Sequence, residues 1–284
     1  MKNVVVIGYA SIDYPAVLDG YFRGDQTVMI KQRPVTEFPR PGGCPLYVAR
    51  PIAGRGRDVA IITWIGDDEQ GALFTRWTAD DGIDTRGIAT IESGSTPVCF
   101  MIYQVDGSCC CCFDPGMLGR ESLTSDQEEL LKNADLLCVT VGPPEIAMRA
   151  LTLVSDQCVV AWVMKNDPIS YPEELRIALA SRARYIFCND SERASVDNAL
   201  QISDRDDSPL IIQTAGSGPV LAELAESSDR IDVPQLTFND ASGAGDTLAG
   251  GCLDSVCNAE TDITAIAQSG VDAATSLLRS RSTE

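Results

Sequence analysis

Between positions 239 and 251 the chain reads Asn-Asp-Ala-Ser-Gly-Ala-Gly-Asp-Thr-Leu-Ala-Gly-Gly, so Asp246 closes a turn of small residues just where an apolar, helix-compatible run begins. Without bulky side chains at Gly243, Ala244 and Gly245, the main chain can approach a ligand closely. The first turn of a helix also leaves N–H groups unpaired and partially positive, which suits a phosphate. Asp246 would stand over that anion. A carboxylate there opposes binding unless it handles a proton while the anion is transferred. The pattern therefore points to phosphoryl transfer, against the plainer reading of a glycine-rich loop that only caps a helix.

The segment Asp240 to Asp246 resembles the Asp-Thr-x-Gly-Ala-Gly-Asp signature of the ribokinase-like (PfkB carbohydrate kinase) family, departing only at Ala241, where that family usually has Thr. The resemblance implies that Asp246 is the base for the substrate hydroxyl and that the amides of Gly243, Ala244 and Gly245 form the anion hole. It continues in order along nearly the whole chain. Gly42-Gly43, at a strand-to-helix turn where the backbone can meet a ligand's hydroxyls, is similar to the family's substrate-pocket motif. Tyr47 stands where the family usually has Asn, which marks it as a substrate contact of altered character. Asp13, five residues after Gly8, matches an Asp expected at the end of the first strand, and a carboxylate is suited to accepting hydroxyl hydrogen bonds. Its plain alternative is a loop or cap residue. Gly66-Asp67-Asp68-Glu69-Gln70-Gly71 is similar to a further family element, but Asp67 and Asp68 read as structural.

Asn189-Asp190-Ser191-Glu192 matches the family's Asn-x-x-Glu motif, implying that Asn189 and Glu192 organise Mg²⁺ through water. The same four residues form an ordinary capping box, and the two readings hold together. Thr214-Ala215-Gly216-Ser217-Gly218-Pro219 resembles a nucleotide-site loop, with Thr214, Gly216 and Gly218 as the contacts it implies. Pro219 fills the position of the motif's final Gly and fixes φ near −65°, so a remodelled loop is expected. Lys165, with Asp167 just beyond the apolar run ending at Val163, is a candidate to steady a nucleotide phosphate, against the alternative of a solvated loop lysine.

Together these residues imply an ATP- and Mg²⁺-dependent kinase acting on a primary hydroxyl of a sugar. A nucleoside acceptor stays open, and so does a catalytically silent binding relative, because Tyr47 and Pro219 depart from pattern. A Rossmann oxidoreductase would need Gly-x-Gly-x-x-Gly after the first strand, which Gly8 to Asp13 does not supply.

Composition sets the outer bounds. A chain of 284 residues, 44% hydrophobic, can bury a large core, and its net charge of −19 argues against a polyanionic nucleic acid as partner. With no histidine, Ser-His-Asp and Cys-His catalysis and His-ligated zinc are excluded. Eleven cysteines form no Cys-x-x-Cys zinc pattern, no cleavage pattern opens the chain, and no apolar run reaches membrane-spanning length. A reduced, cytoplasmic location away from membranes is the expectation.

Positioning these residues requires a sheet. Apolar runs at Val4–Ile7, Val59–Ile62, Leu136–Val139, Val159–Val163, Tyr185–Cys188 and Leu210–Ile212 read as buried strands. Helical spacing recurs over Leu46–Gly54, Gly71–Asp81, Ser125–Ala134, Glu173–Ala183 and Glu192–Leu200. The alternation predicts a parallel sheet covered by helices on both faces, and the resemblance implies a single α/β domain over 1–284, a ribokinase-like three-layer sandwich. Asp25 to Phe38 reads as extended through Val28, Ile30 and Val35, and Thr96 to Phe113 reads as a hairpin about Asp106-Gly107. These inserts, about 12–42 and 96–114, are expected to form a small β-sheet lid, whose exposed side offers pairing with a second copy. Cys109 to Cys112 would alternate across such a strand, which favours small lid residues over four converging metal ligands.

Overall fold

The four residues of the first strand, β1 (Val4–Ile7), are all buried, as expected for a strand covered on both faces. The computed structural model describes residues 1–33, 38–238 and 240–281. After β1 come β2 (Ser11–Leu18), β3 (Ile30–Gln32), β4 (Arg40–Gly42), α1 (Cys44–Ala53), β5 (Val59–Gly66), α2 (Glu69–Asp80) and β6 (Ile88–Ile91). Next are β7 (Val98–Tyr103), β8 (Cys109–Asp114), α3 (Ser125–Lys132), β9 (Leu136–Val139), α4 (Pro144–Leu153), β10 (Val159–Val163), α5 (Glu173–Arg182) and β11 (Ala183–Asn189). The chain finishes through α6 (Asp190–Ile202), β12 (Leu210–Thr214), β13 (Val220–Leu224), β14 (Ser227–Ile231), α7 (Ala244–Cys257) and α8 (Ile263–Ser280).

The main sheet has the order β14-β13-β12-β11-β10-β9-β1-β5-β6. It is parallel except for β13 and β14, which add antiparallel at one edge. Side chains alternate through it: Val4 and Val6 join Leu46, Val48, Leu248 and Val271 on one face, while Val5 and Ile7 join Leu131, Ala147, Leu175 and Val196 on the other. Helices α1, α7 and α8 thus share one layer, and α3 to α6 the other. Helix α7 is buried from Asp246 to Cys257 and docks at very short range: a Cβ at Gly250 would lie 2.2 Å from the Val48 carbonyl oxygen. Strand order reverses between β1 and β9, and the carboxyl ends flanking that reversal are where open α/β sheets bind ligands.

A second sheet, ordered β3-β2-β7-β8 with β4 also on β2, is built from the two inserts expected to form it. Its details differ from expectation in instructive ways. Asp13 does not end the first strand; it lies inside β2, which follows β1 after only three residues and carries Pro15 in its interior, a residue that argues against a strand. Of the expected extended positions, Ile30 opens β3, Val28 lies outside any strand, and Val35 falls outside the described residues. Asp106-Gly107 sits within a longer turn closed by Gln104 and Ser108, whose N–H···O bond is 2.8 Å, rather than in a two-residue hairpin. The thiols of β8 do alternate, with Cys109 and Cys111 sulfurs 3.9 Å apart on one side and Cys110 and Cys112 the same distance apart on the other. Among the described residues no cluster of three or more His, Cys, Asp or Glu could hold a metal ion, and no helix is long and apolar enough to cross a membrane.

Candidate active site

The turn before α7 is built without a side-chain cap. Gly243 occupies the N-cap position at φ 74°, a left-handed conformation that favours glycine, and a Cβ there would lie 2.5 Å from the Tyr47 ring. The Ala244 N–H donates to the Ala241 carbonyl at 3.1 Å, and Thr247 N–H to the Gly243 carbonyl at 2.8 Å. Between them, the N–H groups of Gly245 and Asp246 have no hydrogen-bond partner among the described residues. A Cβ added to Gly245 would meet nothing within 4 Å, so the turn is open there. Two unpaired amides at a helix start, one of them on Gly245, can receive an anion. Ala244, expected to contribute its amide, uses it inside the turn instead.

Asp246 sits in the first turn of α7 and is only 5% exposed. Its Oδ1 lies 3.1 Å from Lys165 Nζ, which reaches in from the chain just past β10. Burial opposes the charged Lys165, but Asp246, Cys44 and Glu192 together outweigh it, and the ammonium is held above its ordinary pKa. Burial first, and the nearby Asp246 charge second, push the Cys44 thiol well above its usual value, so it stays a neutral S–H. The carboxylate is thus held from the end of β10.

Across the crevice, Asp13 is 4% exposed and accepts a hydrogen bond from Ser11 Oγ at 2.6 Å. Burial pushes its pKa up to about 6, with the Ser11 bond and Arg40 pulling the other way. Gly42 permits this arrangement, since a Cβ there would lie 2.2 Å from the Asp13 carboxyl. Gly43, at φ 93°, then turns the chain into α1. The two glycines, Asp13 and Cys44 therefore share one wall.

Asn189 and Glu192 form the capping box in full. Asn189 Oδ1 accepts from the N–H of Ser191 at 2.9 Å and of Glu192 at 3.1 Å, and Glu192 Oε2 accepts from the Asn189 N–H at 2.8 Å. Burial raises the Glu192 pKa, offset in part by the Asn189 amide and Lys165. Thr214 lies beside Asn189 in the β11–β12 register. Gly216, at φ 59°, and Gly218, whose N–H donates to the Ala215 carbonyl at 2.8 Å, form the turn into β13. Tyr47 is 3% exposed and backs Gly243. Asp68 caps α2, accepting from Gly71 N–H and from Thr96, the structural role expected of it.

Several residues at the site were not singled out from sequence. Asp240, the first carboxylate of the motif, is a buried hub: Arg40 Nη2 lies 2.5 Å from its Oδ2, while Tyr103 OH and Ser242 Oγ each donate to Oδ1 at 2.6 Å. Burial works to raise the Asp240 pKa, but Arg40, Ser242 and Tyr103 outweigh it and hold the carboxyl below the usual range. This hub ties β4 and β7 of the small sheet to the turn before α7. Arg40 and Cys44 flank the legible Gly42-Gly43 pair, whereas nothing local in the sequence marks Tyr103 or Arg281.

Comparison with known proteins bears on the family and the fold. The model of the pfkB family of carbohydrate kinases matches residues 1–284. An ATP-dependent ribose-1-phosphate kinase from Halopiger xanaduensis is 27% identical over 258 residues, 89% of this chain and 84% of that protein. Among solved structures, a nucleoside kinase from Methanocaldococcus jannaschii superposes with a TM-score of 0.78 at 18% identity, covering 98% of this chain and 92% of its own. Ribokinase from Cryptococcus neoformans, solved with ADP, has a TM-score of 0.80 at 18% identity and covers 96% and 93%.

Proposed function

The chain belongs to the pfkB family of carbohydrate kinases, and from that premise we propose that it transfers the γ-phosphate of ATP to a primary hydroxyl of a sugar. The observation that carries this reading is Asp246, a buried carboxylate in the first turn of a helix whose Gly245 and Asp246 amides are unpaired among the described residues. Asp246 takes the proton of the attacking hydroxyl as that oxygen bonds to the γ-phosphorus and ADP leaves. The amides of the turn receive the transferring phosphoryl group. Lys165 answers the electrostatic objection that a carboxylate repels a phosphate, because its ammonium lies against Asp246 Oδ1 and brings a positive charge to the same place.

Asp13 and the Gly42-Gly43 turn hold the acceptor's hydroxyls, Tyr47 shapes that end of the pocket from beneath the turn, and the small sheet serves as lid over a single domain. Thr214, Gly216 and Gly218 line the nucleotide side. The oxygen donors of Asn189 and Glu192 suit Mg²⁺ but are engaged in the cap, which fits an ion carried on the nucleotide phosphates and reached through water rather than a protein cage. Bound there, Mg²⁺ supplies charge neutralisation of the phosphates.

The ribose-1-phosphate kinase likeness favours a pentose acceptor; the nucleoside kinase likeness makes a nucleoside the second reading. ADP release is measured with ATP and Mg²⁺ against ribose 1-phosphate, D-ribose, D-fructose and adenosine. Turnover with a pentose bearing a free primary hydroxyl is the expected result, and turnover with adenosine alone selects the nucleoside reading. Binding of these compounds by thermal shift, with no ADP released from any, identifies a silent relative and overturns the proposal.

A further inference from the structure

Arg281 is the C-cap residue of α8, and its side chain is only 7% exposed. A buried cation is costly unless its donors are met, so its partners are informative. Nη1 donates to the main-chain carbonyl of Ser242 at 2.5 Å, and Nη2 donates to the Tyr47 hydroxyl at 3.0 Å. Nη1 also lies 3.8 Å from Asp240 Oδ2, and the guanidinium carbon stands 5.5 Å from the centre of the Tyr47 ring. That same ring backs Gly243 so closely that a Cβ there would be 2.5 Å away. One planar fork therefore grips the residue entering the turn and the ring behind it. A lysine, as a single point of charge, would not span both in one plane.

The turn needs such a grip. Gly243 gives α7 no side-chain cap, and the amides of Gly245 and Asp246 have no partner among the described residues, so no hydrogen bond of their own anchors those two amides. We propose that Arg281 is a positioning residue for phosphoryl transfer: through Ser242 and Tyr47 it holds the Gly243-Ala244-Gly245 turn in the geometry that receives the phosphoryl group. The inference rests on the reading of that turn as the anion hole. It makes the end of the C-terminal helix part of the catalytic apparatus without contact to substrate. Tyr47 is the other half of the device.

The first measurement needs no ligand. Amide hydrogen exchange is followed in the free protein for residues 240–247 and, as an internal control, for 189–193. In Arg281→Ala the first segment should exchange at least about tenfold faster while the second is unchanged. Tyr47→Phe, which keeps the ring and removes one acceptor, should give a smaller rise in the same segment. The second measurement is ADP release with ATP, Mg²⁺ and ribose 1-phosphate, below the melting temperature of every variant. Arg281→Ala should lose roughly 10- to 100-fold in kcat, the scale of a displacement of about 1 Å, with the KM for ribose 1-phosphate little changed. Guanidinium chloride at low millimolar concentration should restore part of that loss, sodium chloride should not, and Arg281→Lys should recover less than wild type. Unchanged exchange at 240–247 in Arg281→Ala, or in Arg281→Lys if the alanine variant does not fold, overturns the proposal. So does a kcat within about twofold of wild type. Asp246→Asn run alongside separates the two ideas: retained turnover there removes the base assignment, whereas its loss beside a normal Arg281→Ala removes only the role of Arg281.

Discussion

Two helices begin at the carboxyl edge of the main sheet and treat their first turns in opposite ways. Helix α6 is closed on itself, with Asn189 accepting from the amides of Ser191 and Glu192 while Glu192 accepts from the Asn189 amide. Helix α7 is open, with a left-handed glycine at its N-cap and no side-chain acceptor for its first amides. A closed terminus contributes to stability and offers its side chains to solvent or to a hydrated ion; an open one forgoes that contribution and keeps its amides for a ligand. The open turn is held from outside, by the Asp240 hub with Arg40 and Tyr103 and by the Lys165 contact to Asp246. On the proposed reading, the division between chemistry and stability in this site follows which terminus has a cap.

The largest test of that division is Asp246→Asn. If the open terminus is where transfer occurs, this variant keeps its fold and nucleotide binding but loses roughly 10²–10⁴ in turnover, the scale of a positioned base. Turnover close to wild type would dissolve the distinction between the two termini. Gly243→Ala strikes the same turn sterically. A Cβ 2.5 Å from the ring of a buried Tyr47, at φ 74°, combines overpacking with a left-handed penalty, together roughly 2–4 kcal/mol. A melting temperature within a degree of wild type would show that the turn is not rigidly backed.

Asp13 extends the comparison to a carboxylate carried by a strand, β2, rather than by a helix. Burial raises its pKa from 3.8 to about 6. Because the folded protein holds this proton more tightly than the unfolded chain, the neutral carboxyl's contribution to stability is present below pH ~4 and is lost as pH rises through about 6. Asp13→Asn should therefore raise stability at neutral pH, by at most about 3 kcal/mol, while weakening acceptor binding. For the wild type, the acceptor KM should climb as pH falls below about 6, where the carboxylate is lost. A flat KM from pH 5 to pH 8 would separate Asp13 from the acceptor.

What was legible in the sequence divides along a similar line. The turn from Asp240 to Asp246 could be read because close backbone approach constrains residue types at adjacent positions, and the sheet could be read because strands such as Leu136–Val139 are uninterruptedly apolar. Strand β2 was hidden by Pro15, and α4 by Pro143 and Pro144 at its start, although proline is well suited to a helix's first turn. The antiparallel edge was obscured by the polar face of β14. Contacts that support the site were not legible at all: Arg281 and Tyr47 are 234 positions apart, and only the docking of α8 beside α7 brings them together. Local patterns announce local requirements, and the supports of an open turn are not local.

The smallest expected effect is also the one that most sharpens the contrast. Asn189→Ala removes a side-chain acceptor from two amides and should cost about 1 kcal/mol of stability, as loss of an N-cap does. If α6 contributes only that, turnover at saturating Mg²⁺ stays within a few-fold of wild type. Glu192→Gln then isolates charge from capping, because the amide oxygen of glutamine can still accept from the Asn189 N–H. Stability should barely move, while the Mg²⁺ concentration for half-maximal ADP release rises if the carboxylate organises the ion's water shell. An unchanged Mg²⁺ dependence would leave Glu192 a cap and nothing more, and the chemistry would then rest wholly on the open terminus and the residues that hold it.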